Sequence, residues 1–346
     1  LLLFCSILWS SHLALGQEKR DYEVVSVAFY NLENLFDSHD DPNIFDDDRT
    51  PTGKDKWTEE LYRKKLENMA SAIHEIGREQ TNAPPALLGV SEVENRQVLE
   101  DLIETPLLAA YNYGIIHFDS PDERGIDVAL LYQKTFFIPL HWSSHELVLY
   151  DPKIPSKRDF TRDQLLVTGL LKGEEIHVMV NHWPSRSGGE KLSSHKRENA
   201  ARLTRKIADS LYKINPYANI IAMGDFNDDP INKSLSVILG AKSNRDKLEI
   251  RDFYNPYASI FRSGAGSSAY RDTWNLFDQI LVSKSLTEKN PEKLSFFRAF
   301  IFDDPFLITR EGQYKGYPFR SFGSTGFTGG YSDHFPVYIL LIRTIL

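Results

Sequence analysis

Residues 220 to 223 form an apolar run, Ile-Ile-Ala-Met, that stops at Gly224, and Asp225, Asn227, Asp228 and Asp229 crowd the positions just beyond it. On extended chain, residues two apart point to the same side, so the Asp225 carboxylate and the Asn227 carboxamide can address one bound species. Acids, amides and imidazoles likewise gather at the ends of other apolar runs: just after them at Asn31, at Glu92 and at Asn181 and His182, and at their start at Asp278 and at Asp333 and His334. Arg124 and Arg186 add cations near two of these places. The set is rich in carboxylates and carboxamides and contains no thiol, which suits a hard, oxygen-preferring cation such as Mg²⁺ or, alternatively, Mn²⁺. Zinc chemistry finds no HExxH or comparable ligand pair. His182 and His334 are placed to donate protons or hydrogen bonds to a developing oxyanion. With no GxSxG, Walker loop or GxGxxG in the chain, metal-assisted attack of water on a phosphate ester is favoured over acyl or hydride transfer.

Such a site needs strands that end at one edge. Strands are predicted from Glu23 to Tyr30, Ala86 to Val90, Tyr113 to Phe118, Asp127 to Tyr132, Phe277 to Val282 and Pro336 to Leu341, with a hairpin turning at Lys172-Gly173-Glu174. Between them, Thr58 starts a helix whose Leu61, Leu66, Met69, Ile73 and Ile76 recur at helical spacing up to Gly77, and a second long amphipathic helix fills Glu190 to Ile214. Shorter helices are predicted from Arg96 to Leu108 and Ile231 to Leu239. The acidic stretch from Asp37 to Lys56 reads as a surface loop whose Asp46-Asp47-Asp48 run is solvated. Lys196 and Arg197 read as a solvated helix face, Asp228 and Asp229 as turn formers, and Trp183 as core. Helices between strands, with hairpins interspersed, predict a mixed α/β sheet structure covered by helices, its ligand site at the strand ends. The Gly- and Ser-rich pieces from Ser263 to Ser268 and Gly323 to Gly330 read as loops around that site.

Composition sets the outer limits. An apolar content of 41% and an aromatic content of 12% across 346 residues supply a large core. The net charge of -8 gives no global attraction for nucleic acid or anionic membrane. Residues 1–16, LLLFCSILWSSHLALG, are apolar and uncharged, with Ala14 and Gly16 ahead of a polar segment, the pattern of a secretory signal. Export is therefore expected, to a periplasmic or extracellular space, with residues 17–346 as a single domain. Phe4 before Cys5 speaks against lipoprotein-type cleavage, and loss of the segment would leave no cysteine for disulfides or thiolate sites.

The motifs YNLEN at Tyr30 to Asn34, GVSEVEN around Glu92, RGIDVALLY from Arg124, NHWPSR from Asn181, GDFND from Gly224, NLFDQIL around Asp278 and SDHFPV from Ser332 come in one order along the chain. In that order they resemble the endonuclease/exonuclease/phosphatase superfamily, which includes deoxyribonucleases, abasic-site endonucleases, neutral sphingomyelinases and inositol-polyphosphate 5-phosphatases. The resemblance implies a four-layer sandwich of two sheets with outer helices. It implies that Glu92 is the principal metal ligand, supported by Asn31 and Asp333, and that Asp225 orients or deprotonates the attacking water while Asn227 stabilises the transition state. It implies His334 on the scissile phosphate, oriented by Asp278, with His182 as a second phosphate-facing histidine. Glu94 is a competing metal ligand, because it projects to the side of Glu92 if the strand continues. Arg124, Asn181 and Arg186 are expected on the substrate side, with a salt-bridge role as the alternative for the arginines.

Several phosphate esters compete as substrate. A nuclease needs a groove lined by cations and aromatics, whereas Lys and Arg here are scattered. A sphingomyelinase-like enzyme needs exposed apolar loops, for which Phe319, Phe322 and Phe327 are candidates, and a 5-phosphatase needs a basic cluster. A binding protein without activity on the same fold is the reading from a different class. The expected protein is a monomer without a transmembrane span.

Overall fold

Alternating apolar residues carry strand β1 (Tyr22–Leu35) through the centre of the molecule, with Val25, Val27 and Phe29 on one face and Ala28, Tyr30 and Leu32 on the other. Both faces are buried, as in a strand covered on each side. The computed structural model describes residues 21–151 and 153–345; the expected signal segment, residues 1–16, lies outside them. After β1 the principal elements are α1 (Glu59–Glu75), β2 (Leu87–Val93), α2 (Arg96–Ile103), β3 (Tyr113–His117), β4 (Asp127–Gln133), β5 (Phe137–His145), β6 (Gln164–Leu171) and β7 (Glu174–His182). There follow α3 (Glu190–Ile214), β8 (Ile220–Asp225), β9 (Asp278–Ser283), β10 (Ser295–Ile301) and β11 (Val337–Thr344).

The strands form two large sheets. One has the order β10-β11-β1-β2-β4-β3; the other runs β9-β8-β7-β6-β5 and extends beyond β9 through Phe253–Tyr254 and Ala241–Lys242. Each sheet has one parallel pair at its centre, β1 with β2 and β7 with β8, flanked by antiparallel neighbours. The carboxyl ends of the parallel strands and the amino ends of their antiparallel neighbours therefore fall on the same edge. Facing apolar residues such as Val27, Leu130, Val180, Ile221, Ile280 and Ile339 fill the space between the sheets. The sheets approach so closely that a Cβ on Gly89 would lie 2.5 Å from Met223 Sδ.

Helix α1 covers the outer face of the first sheet through Leu66, Met69 and Ile73, and α3 covers the second through Ala200, Ile207 and Tyr212. The order of layers is helix, sheet, sheet, helix. The Thr58 side chain caps α1 by accepting from Leu61 N, and Gly77, at φ 68°, ends its last turn in the left-handed region. No helix among the described residues is long and apolar enough to cross a membrane.

Three local expectations are corrected, and two principal strands are not among those expected. α2 ends at Ile103 rather than Leu108, because Pro106 turns the residue before it away from helical geometry. The helix expected from Ile231 forms only over Ser234–Leu239, with π-type turns. The edge strand β5, bulged between Pro139 and His141, and the strand β10 go unpredicted. Asp46 is buried and accepts from Asp41 N at 2.9 Å, so the Asp46–Asp48 run is not uniformly solvated.

Candidate active site

β8 delivers Asp225 to the site edge, with His182 of β7 as its register partner on one side and Asp278 of β9 on the other. These three form a row across the end of the second sheet. From the first sheet come Asn31, in β1, and Glu92, in β2, and the segment before β11 adds Asp333 and His334. Asp225 is the hub. Its Oδ2 accepts from Asn31 Nδ2 at 3.1 Å and lies 3.6 Å from His182 Nε2 and 4.0 Å from His334 Nε2; its Oδ1 accepts from Asn227 N at 2.9 Å. His182 Nε2 is also 3.8 Å from Glu92 Oε1. His334 Nδ1 and Asp278 Oδ2 are 2.6 Å apart, a charge-assisted hydrogen bond with the carboxylate fully buried.

Three strand ends leave ordinary strand geometry here. Glu33 and Asn34 (φ 46° and 56°), Glu92 (φ 58°) and Asn227 (φ 50°) all adopt left-handed backbone without being glycine, the kind of local strain that clusters at functional sites. At Glu92 the pairing of β2 with both neighbours shifts register, so Glu92 and Glu94 do not alternate as on a plain strand. Glu92 Oε2 accepts from Asn34 N at 3.1 Å and Oε1 faces His182, whereas Glu94 turns away to accept from Asp37 N at 2.8 Å. Burial pushes the Glu94 carboxyl up to about 8. The structure thus puts Glu92, not Glu94, at the hub.

Burial sets the protonation of the core groups. It pushes Asp225 up to about 7 against the opposing charge of His334, with Asp278 and Glu92 adding like charge. His182 is held well below the usual imidazole value by burial and by the nearby cations Arg162 and Arg124. It is therefore neutral. Burial would lower His334 as well, but the Asp278 and Asp225 carboxylates outweigh it and raise His334 well above its ordinary value. One neutral and one cationic imidazole thus flank the same carboxylate.

Two expected substrate contacts are placed elsewhere. Asn181 is fully buried; its Nδ2 donates to Met223 O at 3.1 Å and its Oδ1 accepts from Thr204 Oγ1 and Trp183 Nε1, so its amide serves the β7–β8 scaffold. Arg186 donates to Asn227 O at 2.9 Å and to Asp229 at 3.0 Å and lies over the Phe277 ring, clamping the turn after β8. Asp228 and Asp229 are more than turn formers. Arg197, expected on a solvated face, is fully buried and donates through Nε to Asp228 Oδ1 at 2.6 Å, while Asp229 Oδ1 accepts from Leu276 N. Arg124 remains half-exposed beside Asp122 and near enough to influence His182. Asn227 is at the site, with Nδ2 donating to Trp183 O.

Sequence reasoning passed over four residues next to the hub. Arg162, fully enclosed, donates to Asp122 Oδ2 and Trp183 O from behind His182. Lys65, on the buried face of α1, donates to Glu33 O at 2.5 Å and Ser321 Oγ at 2.9 Å and so supports the strained turn after Asn31. Arg320 bridges Glu33 Oε1 and Asp333 Oδ2. Ser267 donates to Asp278 Oδ2 at 2.5 Å. Ser267 lies in the Ser263 to Ser268 piece expected to border the site, and Glu33, which Lys65 and Arg320 hold, lies inside YNLEN; no motif marks Arg162, Lys65 or Arg320.

The donor set admits a divalent cation. Glu92, Asn31 and Asp333 offer oxygens of the kind a hard cation prefers, and among the described residues the hydrogen bond to the Glu92 carboxylate goes to Oε2, from Asn34 N, while Oε1 faces His182. Asp225, Asp278 and His334 also present donor atoms within 4.8 Å of one another. Asp278 Oδ2, however, already accepts from His334 and Ser267, which makes that trio an oriented imidazole pair rather than a ligand set.

The profile of the Endonuclease/Exonuclease/phosphatase family matches residues 26–343. The chain belongs to that family. Solved structures share its fold at low identity. A humanized D. rerio TDP2 is 13% identical with a TM-score of 0.54, covering 92% of this chain and 98% of its own. A Bacteroides thetaiotaomicron mannosyl-6-phosphatase is 17% identical with a TM-score of 0.53, covering 93% of this chain and 100% of its own. The human nocturnin catalytic domain with bound sulfate is 17% identical with a TM-score of 0.53, covering 94% and 97%. Among curated proteins, none matches the sequence. The two-sheet sandwich is thus the fold of the family, and family members are phosphoesterases that hydrolyse their substrates.

Proposed function

We propose that this endonuclease/exonuclease/phosphatase family member is an exported, Mg²⁺-dependent hydrolase of phosphate esters, acting as a monomer. The observation that carries the reading is the Asp225 hub, where a carboxylate, a neutral imidazole and a carboxylate-paired imidazole meet beside Glu92 at one edge of the sandwich. Glu92, Asn31 and Asp333 would hold the metal. When bound, it supplies positive charge that neutralises the phosphate and favours the ionised form of Asp225. Asp225 takes the proton of the attacking water as the water oxygen bonds to phosphorus and the bond to the leaving oxygen breaks. The developing charge on the phosphoryl oxygens is met by His334 as imidazolium, His182 as a neutral donor and Asn227. Arg124, half-exposed and 3.4 Å from Asp122 Oδ1, would be the substrate-facing cation, with the Asp122 ion pair as its alternative role.

Among substrates, the lipid reading loses its best feature. Phe322 and Phe327 pack on Trp57 with ring centroids at 5.2 and 5.4 Å, covering the core instead of forming an apolar lip. Phosphodiesters, nucleic acid among them, and phosphomonoesters such as sugar phosphates remain. The test is hydrolysis of bis-p-nitrophenyl phosphate and p-nitrophenyl phosphate by the purified protein, with Mg²⁺ and with EDTA. Turnover restored by Mg²⁺ after chelation is expected; no metal-dependent turnover of either compound refutes the reading. DNA, RNA and sugar phosphates then resolve the leaving group.

A further inference from the structure

Asp278 opens β9 in the second sheet and His334, 56 positions away, lies in the segment before β11 of the first, so something must fix their separation. One residue touches both sides of the pair. Ser267, fully buried, donates through Oγ to Asp278 Oδ2 at 2.5 Å, the same oxygen that meets His334 Nδ1 at 2.6 Å. Its Oγ accepts in turn from Asp278 N at 3.3 Å. Its carbonyl accepts from Phe335 N at 2.7 Å, next to His334, and its N donates to Asn275 O at 2.9 Å. Every polar group of Ser267 is thereby committed. Gly266 makes the approach possible, because a Cβ there would lie 2.6 Å from Asn275 O.

We propose that Ser267 is a positioning residue for the Asp278–His334 pair, its hydroxyl fixing the carboxylate rotamer while its backbone fixes the segment that carries the imidazole. The inference rests on the phosphoesterase reading for its catalytic consequence and on geometry alone for the rest. The Asp278 carboxylate is otherwise loosely held, since its buried Oδ1 has no hydrogen-bond partner among the described residues. Without the Ser267 hydroxyl, Oδ2 keeps only the imidazole, and the carboxylate can turn about its last side-chain bond. His334 then loses its single orientation toward Asp225 and the substrate phosphate. Supporting groups that orient a reacting side chain in this way change rates by ~10-fold or more when removed.

Two measurements test this. In the first, kcat and KM on bis-p-nitrophenyl phosphate are compared for wild type, Ser267→Ala and Ser267→Thr. Ser267→Ala should lower kcat on the order of 10-fold with KM within a factor of two, and Ser267→Thr, which keeps the hydroxyl, should recover most of the loss. In the second, which needs no substrate, the Nδ1 proton of His334 is followed by NMR. A short bond to a carboxylate gives a strongly downfield, exchange-protected signal that should shift or broaden in Ser267→Ala and return in Ser267→Thr. An unmoved signal in Ser267→Ala overturns the proposal even if the protein proves to have no esterase activity. So does a threonine variant as impaired as the alanine variant while unfolding at the wild-type temperature.

Discussion

Replacing Arg197 with methionine removes a cation that the structure places wholly inside the protein. The guanidinium donates to Asp228 Oδ1 at 2.6 Å, Ser193 Oγ at 2.9 Å, Ser185 O at 3.1 Å and Glu190 O at 3.1 Å. Methionine fills the volume but leaves Asp228, with a side chain 5% exposed, holding only Ser234 Oγ at 2.6 Å and Arg186 at 3.4 Å. Breaking a buried pair from one side costs about 3–5 kcal/mol, a large part of the roughly 5–15 kcal/mol that stabilises a domain. At ~2–4 °C per kcal/mol for a large domain, the melting temperature should fall by roughly 10 °C. Activity should fall with it, because Asp228 anchors the turn that follows Asp225 and carries Asn227. Removing both charges in Arg197→Met/Asp228→Leu leaves no uncompensated ion and should recover part of the stability. Thermal unfolding followed by circular dichroism, with activity at 25 °C on the same samples, measures both effects. A loss below ~1 kcal/mol, or a double variant less stable than Arg197→Met alone, would refute the buried-pair account.

Asp278→Asn keeps the shape of the carboxyl but removes the charge that, against burial, holds His334 above its ordinary value. A histidine raised in this way contributes stability that is present below its unfolded pKa, ~6.5, and is lost as pH rises through its folded value. In Asp278→Asn that loss, and the alkaline limb of kcat/KM, should both move to lower pH, which rate profiles and unfolding curves between pH 6 and 10 would show. His334→Ala should lower the rate by at least ~10², and combining it with Asp278→Asn should add little, because both disable one unit; multiplicative losses would mean the pair acts separately. Glu92→Gln should fold normally yet bind Mg²⁺ more weakly in calorimetry and need more of it for half-maximal activity, whereas an unchanged affinity would place the metal on other ligands.

The layered architecture was legible because the apolar runs are long and their periods unambiguous. Glu190 to Ile214 was read as one helix end to end, and the hairpin at Lys172-Gly173-Glu174 followed from its turn residues. Strand β5 was missed because Pro139 and a bulge interrupt its alternation. The gathering of Asn31, Glu92, His182, Asp225, Asp278 and His334 at one edge was foreseeable from polar residues at strand ends together with the family motifs. What those residues do not reveal is how their neighbours are tied. Asn181 and Arg186 sit inside a motif, yet their hydrogen bonds go to Met223, Asn227 and Asp229 in distant segments. Arg197 looks solvated until the turn after β8 folds over it, and Ser267 gains its place only when the loop before β9 meets the segment before β11. Pairings between remote segments leave no local pattern to read.

Asp225 meets Asn31, His182, His334 and Asn227 at once, so Asp225→Asn tests the central claim most directly. The measurement is kcat/KM for bis-p-nitrophenyl phosphate at saturating Mg²⁺, with unfolding temperature recorded alongside. The asparagine keeps the size of the side chain but cannot take the proton of water, so a loss of at least ~10² is predicted in a protein that melts normally. Activity within a few-fold of wild type would contradict Asp225 as the base and, with it, the site described here.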